Sequence, residues 1–572
     1  MIVARNLKTL ALSVAAVLAS AGTAAAQVTI ANVLNAASRQ INGSIARGSL
    51  FVVQGRGVGT ADSQQATFPL PTATGLGGVT IQVNAGGQSY DAIIVYTKPN
   101  EVGAILPSST PAGPATLTLN NNGATATKAM TVVDAAFGIF TQKYGIAAGL
   151  ALAFNVNGDG STAPNNTTQS VAPGQDIIIN GTGLGAITSD ETQPGATDVP
   201  ATSAKVYLGI RPAAVVSAGR GACCDGIDPS YPVPQGIAAW DVIRFTVPDG
   251  VTGCYVPVVV QIGKTVSNLA PISVDPSGAA CVPAASGLPQ DLSDKLAGQT
   301  GVSIGNVGLG RSVAMNVNNQ GAVVTTRRDS GSAAFVRYPD LPASAVTAQN
   351  IYPDNVCSVN GWPGANGPGS VDQNGNTITI NPLKSVPLDA GTPIVVKGPS
   401  GSRNIVKRTV GQVFDYPGVT FGDTTAGNFF DSGHYTITDA AGGKDMSAFN
   451  GAIDVPAAHF VWTNIPDVKT PIDRTQDLVI RWTGGAPGSQ VTVTSAGLAN
   501  GVDTAFQCAA PVSAGQITVP SYILLQLPPT VNAQLGGQLT VGDASVTVFT
   551  TSGLDLGTVR YNEGYTLAIR YE

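Results

Sequence analysis

Histidine, the usual general base of hydrolases, occurs only twice in this 572-residue chain, at His434 and His459. A Ser-His-Asp triad needs one histidine as its base, and Asp431 and Ser432 stand beside His434. A triad is assembled in space, however, so neighbours in the sequence do not make one. The chain also has no G-x-S-x-G elbow and no H-E-x-x-H zinc motif. We therefore predict no catalytic residues, and expect His434 to begin a strand after a turn.

Carboxylates that could support glycoside hydrolysis occur at Asp190-Glu191 and at Asp225 and Asp228. Such hydrolysis needs two carboxyl groups at a defined separation. Both pairs stand in turn-like sequence, as solvated loop acids do. We predict no catalytic role for them and no cofactor.

Residues 155–161 partly match a calcium-binding loop. Oxygen-bearing side chains stand at alternate positions, at Asn155, Asn157 and Asp159, and glycine is sixth. Asn166 stands where such a loop needs a bidentate acid. We therefore favour a turn between two strands and predict no metal site.

Glycine clusters at 55–59 and 181–185 both read Gly-x-Gly-x-Gly. Phosphate binding by a P-loop also needs a Lys-Ser/Thr pair and a following helix, and both are missing. We predict that these glycines serve turns or bulges with positive φ.

Trp362 is the one candidate for ligand contact. It stands in Asn-Gly-Trp-Pro-Gly over residues 360–364, a loop-like context. A tryptophan on a loop suits stacking on a sugar ring or contact with a protein. The alternative is a hydrophobic lid on its own module. We expect Trp240, Trp462 and Trp482, at strand-like positions, to lie in cores.

The six cysteines are disulfide candidates, and six allow 15 pairings. We expect the adjacent first two to bond to the next two in some order, because a bond between neighbours is strained. The last two either bridge the later modules or stay free. Zinc binding is a poor alternative because no C-x-x-C pair occurs. The cysteines are Cys223, Cys224, Cys254, Cys281, Cys357 and Cys508.

The composition describes a globular chain with a nearly neutral surface. Hydrophobic residues make up 43%, charged residues only 11%, and the net charge is -6. Without clustered lysine and arginine a nucleic-acid partner is excluded. The length suggests about four domains.

Residues 1–26 have the features of a secretory signal peptide. Arg5 and Lys8 precede an apolar run at 10–18, and three alanines at 24–26 suit cleavage. The alternative, a membrane anchor, would need a longer apolar run. We predict a secreted or cell-envelope protein, with no integral membrane segment after cleavage and with disulfides permitted.

Short apolar and β-branched runs, separated by Gly, Pro and Asn, predict β-sandwiches. Trp482 and Cys508 suit an immunoglobulin-type core, although the matching first cysteine is missing. We predict immunoglobulin-like domains at 27–134 and 135–283, a linker at 284–301, a β-rich domain at 302–455 and a β-sandwich at 456–572.

The first two domains are copies of one repeat. The patterns at 44–48 and 55–59 return at 170–174 and 181–185. The second copy, including Ile178-Ile179-Asn180-Gly181, resembles the IPT/TIG type of immunoglobulin-like module. Short matches in order between Val28 and Pro283, such as Asn35-Ala36-Ala37-Ser38, resemble an uncharacterised family of secreted acidobacterial proteins, the Solibacter C-terminal domain type. The resemblance implies an extracellular β-sandwich and no established reaction.

These features together predict an all-β chain of tandem immunoglobulin-like sandwiches with further β-rich modules. We expect a binding, adhesion or structural role, with an extracellular glycan or protein as partner, and no enzymatic activity. The alternative is an extracellular hydrolase whose site lies within 302–572, with the first two domains as accessory modules.

Overall fold

The computed structural model describes residues 28–39, 44–142, 150–198, 203–209, 211–221, 232–281, 300–317, 323–342, 356–363, 385–410, 413–425, 427–499, 502–531 and 537–572. Nearly all their regular structure is β-strand; the rest is a single-turn helix, α1 (Ser521–Leu524), and two 3-10 turns at Ile465–Asp467 and Val512–Ala514. The predicted signal peptide and most of the linker at 284–301 lie outside these residues. Within them no helix is long and apolar enough to cross a membrane.

The first unit is a sandwich of two five-stranded sheets, with orders β1-β3-β8-β7-β4 and β2-β10-β9-β5-β6. Alternation builds it: in β5, Val79, Ile81 and Val83 are buried while Gln82 and Asn84 face solvent. The inward residues of both sheets form one core. The strands are β1 (Thr29–Asn35), β2 (Ser44–Ala46), β3 (Leu50–Arg56), β4 (Gln64–Gln65), β5 (Val79–Ala85), β6 (Gln88–Asp91), β7 (Ile93–Lys98), β8 (Glu101–Ile105), β9 (Gly113–Asn121) and β10 (Ala124–Val133).

The second unit folds one continuous path of strands, β13-β12-β14-β17-β16-β15-β18-β19, around its own core. β11 pairs with β14, and β20 pairs with β18. A bulge between Val215 and Ser217 lets β16 pass from one half of the sandwich to the other. The strands are β11 (Gly138–Ile139), β12 (Ala153–Val156), β13 (Thr162–Pro164), β14 (Asp176–Thr182), β15 (Ala204–Leu208), β16 (Arg211–Arg220), β17 (Asp241–Thr246), β18 (Gly253–Ile262), β19 (Thr265–Val266) and β20 (Ala270–Val274).

The C-terminal half is built on one ten-stranded sheet of order β23-β34-β33-β36-β37-β21-β22-β28-β27, with β24 also paired to β22. Two smaller sheets, β26-β25-β29-β30 and β31-β32-β35, complete it. The strands are β21 (Thr300–Val317), β22 (Val323–Pro342), β23 (Val356–Pro363), β24 (Val386–Pro387), β25 (Ile394–Gly398), β26 (Gly401–Ile405), β27 (Arg408–Val410), β28 (Val413–Asp423), β29 (Gly433–Asp439), β30 (Phe449–Val455), β31 (Val461–Trp462), β32 (Leu478–Thr483), β33 (Gln490–Ala499), β34 (Val502–Pro511), β35 (Gln516–Val519), β36 (Gly537–Phe549) and β37 (Leu556–Ile569).

This large sheet crosses the predicted boundary at 455/456. Along one face of β36, Val541 belongs to a core with the β31-β32-β35 sheet, while Phe549 belongs to a core with the β26-β25-β29-β30 sheet. One sheet therefore backs two cores, and the segments 302–455 and 456–572 share it. The long strands cause this, because each reaches past the end of one core into the next.

Apolar contacts join the three units. At the first joint, Phe140 stacks on Trp240 with ring centroids 4.5 Å apart, in a cluster with Leu34, Leu50 and Val52 of the first unit. At the second joint, Tyr207 stacks on Tyr522 of α1 at 4.1 Å. The chain is an all-β protein of tandem immunoglobulin-like sandwiches followed by a larger β-rich half.

Candidate functional site

A shallow, open groove lies on the outer face of the first unit. It holds about 620 Å³ and is lined where β5, β9 and β10 lie side by side. Asn84 stands opposite Thr116, which stands opposite Ala129 on its other side. These three residues and Thr131 are solvent-exposed, as the alternation of a half-buried sheet requires. We call this surface the β5–β9–β10 groove.

The β5–β6 turn closes one end of the groove. Gly86 and Gly87 both have positive φ, 60° and 80°, as a two-residue hairpin turn demands. A Cβ on Gly86 would lie 3.2 Å from the Pro111 ring, so a bulkier residue would crowd the neighbouring turn. The turn therefore keeps the groove open beside Asn84.

The chemistry of the groove is that of neutral hydrogen bonding. Its polar side chains are one amide and two hydroxyls, at Asn84, Thr116 and Thr131, and no acid, histidine, cysteine, lysine or arginine lines it. Such a surface can donate and accept hydrogen bonds but cannot move protons or supply a strong nucleophile. It suits an uncharged polar ligand.

The first joint is a second polar site, and its side chains bond across the two units. The Asn35 amide donates to the carbonyls of Ala136 (3.0 Å) and Thr182 (3.1 Å) in the second unit. The Leu50 amide donates to the Thr182 hydroxyl at 2.9 Å, and that hydroxyl donates to the Ala239 carbonyl at 2.7 Å. These bonds fix the direction of the second unit relative to the first.

A buried ion pair completes the first joint. Arg220 and Asp241 have no exposed side-chain surface and pair directly. Arg220 also donates to the carbonyls of Gly48 (3.0 Å) in the first unit and Gly185 (2.7 Å) in the second. Since neither charge meets water, removing one partner would leave the other uncompensated.

The glycine clusters combine the predicted positive φ, at Gly57, Gly183 and Gly185, with close contacts that were not predicted. A Cβ on Gly55 would lie 1.8 Å from the Thr29 carbonyl oxygen, and a Cβ on Gly183 would lie 2.2 Å from the Ala136 carbonyl oxygen. Gly183 has φ +110° and its amide donates to Asp241 at 2.7 Å. The second cluster therefore belongs to the first joint.

The loop at 155–161 forms the predicted turn. Asn155 points inward and donates to the carbonyls of Gln169 and Ser170. Asp159 accepts from the amide and hydroxyl of Ser161, which hold its pKa below the usual value. Asn155 is therefore turned away from Asn157 and Asp159, both of which bond to Ser161.

Neither histidine meets the residues beside it in the sequence in the way a triad requires. Asp431 accepts from Ser400, while His434 pairs with Asp454 at 2.7 Å on the exposed face of β29 and β30. Asp190 binds Thr192 of its own loop. Glu191 accepts two bonds from Ser108 across the first joint, and burial raises its pKa. Asp225 and Asp228 lie outside the described residues.

Trp362 lies in a strand rather than a loop. It is the seventh residue of β23 and stands opposite Asp503 of β34. Its role as a ligand contact stays a prediction. The other three tryptophans are core residues, as expected, with at most 3% exposure.

The expected cysteine pairing is wrong. Cys254 bonds to Cys281, so neither is left for the adjacent pair Cys223 and Cys224, which lies outside the described residues. The two partners meet because β18 runs beside β20, whose end leads to Cys281.

The bridging alternative for the last two cysteines is confirmed. Cys357 bonds to Cys508, joining β23 to β34. Both cysteines lie in the core that holds Trp482, but their bond joins neighbouring strands of one sheet, whereas the disulfide of an immunoglobulin-type core joins two sheets. Buried disulfides fit an oxidising compartment.

A buried charged row, which sequence reasoning missed, crosses the large sheet between its two cores. Asp543 stands opposite Glu563, Glu563 beside Arg311, and Arg311 opposite Asp329, on the neighbouring strands β36, β37, β21 and β22. All four residues are buried, with at most 5% of their surface exposed. We call them the charged row.

The charged row binds the segments that pass over it. Arg311 holds Asp329 at 2.8 and 2.9 Å and lies 3.8 Å from Glu563. Glu563 also accepts from the Phe460 amide at 3.2 Å and lies 3.0 Å from the His459 ring. The row therefore fastens the crossover at 456–460, where the chain passes from one core to the other.

Opposite pKa shifts occur at the two ends of the row. Burial raises the pKa of Asp543, against hydrogen bonds from Ser489 and the Ala486 amide that lower it. At Asp329 burial also acts to raise the pKa, but bonds from Arg311 and from the amides of Phe430 and Phe429 outweigh it and leave the pKa low. Enclosed and already bonded, the row is a structural element.

No protein-family model and no curated protein matches this sequence. Similar solved structures include the plexin A4 extracellular region (11% identity, TM-score 0.15), of which 19% is covered by 45% of this chain. A tandem pair of titin immunoglobulin domains shows 7% identity over 41% of this chain and 91% of that one, with TM-score 0.13. The SGBP-B protein of the Bacteroides ovatus mixed-linkage glucan utilization locus, solved with a mixed-linkage heptasaccharide, shows 11% identity over 91% and 94%, with TM-score 0.12. The chain thus spans about a fifth of the plexin region.

Proposed function

We propose that this protein is a secreted or cell-envelope binding protein, with an adhesive or structural role, which holds an uncharged polar ligand in the β5–β9–β10 groove. The observation that carries the proposal is the lining of that groove, which offers an amide and hydroxyls and no ionisable group. An extracellular glycan is the ligand class that fits best, because its hydroxyls pair with such side chains without charge.

The rest of the first two units supports presentation of this groove. The first joint fixes the two units through Asn35, Thr182 and the buried Arg220–Asp241 pair. A groove on a fixed unit meets its ligand without losing the freedom of a flexible tether, which favours affinity. Two disulfides support a location outside the reducing cytoplasm.

A glycan array probed with the full chain tests the proposal. Thr116→Trp fills the groove, and Asn84→Ala removes its amide. Both should lower binding at least tenfold, while Thr127→Val, an exposed position on β10 outside the groove, should leave it unchanged. Thermal melting of each variant controls for folding.

Two results would redirect the proposal. If Thr116→Trp binds as well as the wild type and Trp362→Ala does not, the ligand contact lies at β23 rather than in the groove. If purified protein cleaves an array glycan, the role is enzymatic, and loss of cleavage in His434→Ala or His459→Ala would place the site in the C-terminal half.

A further inference from the structure

The first and last strands of the C-terminal half lie side by side and run in the same direction. β21 and β37 pair in parallel from Ile304 opposite Leu556 to Met315 opposite Leu567. Beyond the start of this ladder, the Ser303 amide donates to the Asp555 carboxylate and the Asp555 amide to the Ser303 carbonyl. In a parallel pair, the start of one strand and the end of the other lie at opposite ends of the ladder.

This geometry determines how strongly the sheet resists a pulling force. Force applied between the chain before β21 and the chain after β37 pulls the two strands along their own length, in opposite directions. All the hydrogen bonds between them then share the load and must break together. In an antiparallel hairpin such as β36–β37, force across the open end breaks the bonds one at a time.

Buried apolar side chains cover the parallel ladder, and charged side chains link its strands. Val307 and Leu309 of β21 and Val559 and Tyr561 of β37 are at most 2% exposed, so water has little access to replace the bonds as they stretch. Arg311 reaches from β21 towards Glu563 of β37 while it holds Asp329 of β22. The charged row therefore links the side chains of three strands across the ladder.

The first unit repeats this arrangement on a smaller scale. β2 pairs in parallel with β10, from Ser44 opposite Thr131 to Ala46 opposite Val133. An ion pair between Arg47 and Asp134, 2.8 Å apart, continues the contact by one residue. The short ladder should resist less force than the long one.

We propose that the C-terminal half is a load-bearing mechanical clamp, in which β21 and β37 resist tension between the two ends of the unit in shear. This property goes beyond the proposed binding role and needs no ligand. It suits a protein that is pulled while it is anchored at one place and attached at another.

Single-molecule pulling on the full chain tests the clamp by direction. A click-reactive amino acid at exposed Ala568, near the end of β37, serves as the common handle. The second handle stands either at Asn306, near the start of β21, or at exposed Gln538, directly opposite Ala568. The first pair loads the ladder in shear and the second unzips β36 from β37. Both proteins are first required to melt as the wild type does.

We expect the shear direction to need at least about three times the force at equal loading rate, since forced unfolding is governed by the unfolding barrier. The Cys357–Cys508 bond encloses 151 residues. Unfolding of the segment between Asn306 and Ala568 should therefore lengthen the pulled chain by only about 40 nm. Reduction of the disulfide frees the enclosed residues and should add about 50 nm to that length. These lengths identify the event as rupture of this unit.

Equal forces in the two directions, or a weaker shear direction, would overturn the clamp. Glycan binding is not part of this measurement. A chain that binds glycan but shows equal forces refutes the clamp alone, and one that resists shear but binds nothing refutes only the groove.

Discussion

The first unit and the C-terminal half use the same alternating strands but assemble them differently. In the first unit every named strand pairs within residues 29–133, and two sheets enclose one core. In the C-terminal half the contact between Ser303 and Asp555 spans 252 residues, and one sheet backs two cores. The same alternating pattern of residues is thus compatible with a closed sandwich or with one sheet that backs two cores.

The two regions also fill the gaps between their cores differently. Where the first two units meet end to end, the gap holds aromatic rings, the Asn35 amide and one ion pair. Where one sheet continues from core to core, the gap holds the charged row. Because the sheet is continuous, its strands also place inward-facing residues between the two cores. Charged side chains at these positions can bond the backbone segment that crosses from one core to the other.

Arg311→Met should show the largest difference between the two regions. It leaves Asp329 and Glu563 without their buried cation, which costs about 3–5 kcal/mol. Urea unfolding, followed separately in the first unit and the C-terminal half, should show the loss in the latter alone.

Arg408→Met is the matched control for that change. Arg408 pairs with Asp415 on the surface, with 60% and 49% of the two side chains exposed. Its loss should cost much less stability than the loss of Arg311, because water and salt screen an exposed ion pair. A similar cost for both variants would show that the charged row contributes no more than a surface pair.

Removing the Cys357–Cys508 bond by the double change Cys357→Ala and Cys508→Ala should cost the C-terminal half about 2–4 kcal/mol. The bond closes a long loop, and it joins β23, an edge strand, to the core. The matching removal of Cys254–Cys281, which closes 27 residues, should cost the second unit less. Calorimetry of the two double variants compares them, and a larger loss for the shorter loop would contradict the chain-entropy argument.

The sequence predicts strand pairs that are close together in the chain better than pairs that are far apart. The strands of the first two units could be predicted, because their alternation is local and their repeat doubles the signal. The shared sheet could not, since nothing in β21 indicates that its partner is β37. Register between distant strands is set by cores that form only when both are present.

The charged row was missed for a related reason. The clearest strand-like runs of the sequence, at 312–317, 545–549 and 565–571, stop short of Arg311, Asp543 and Glu563. The longer strands β21, β36 and β37 continue the alternation and place these residues inward beside Leu309, Val541 and Tyr561. The groove was missed because its lining residues are ordinary until three strands bring them together.

Asn35→Ala should weaken the first joint and leave the C-terminal half unchanged. It removes two bonds to carbonyls of the second unit and leaves the buried Thr182 carbonyl without this donor, at a cost of about 1–3 kcal/mol. Calorimetry should show the first unit melting earlier and apart from the second. Thr125→Ala, at an exposed position on β10, is the control and should change neither transition. If Asn35→Ala melts as the wild type does, the two bonds from the Asn35 amide do not stabilise the joint.

The smallest expected effects distinguish the two ends of the charged row by pH. The pKa of Asp543 is raised in the folded protein, so its contribution to stability is present at low pH and is lost as pH rises through the folded value. The pKa of Asp329 is lowered, so its contribution is present above the ordinary aspartate value and is lost as pH falls. Relative to the wild type, Asp543→Asn should therefore gain stability as pH rises above about 4, and Asp329→Asn should lose it. Urea midpoints of the C-terminal half between pH 3 and 8 measure both slopes. Slopes of the same sign would mean that the row titrates as one unit, and would remove the distinction between the end that pairs with Arg311 and the end whose pKa is raised by burial.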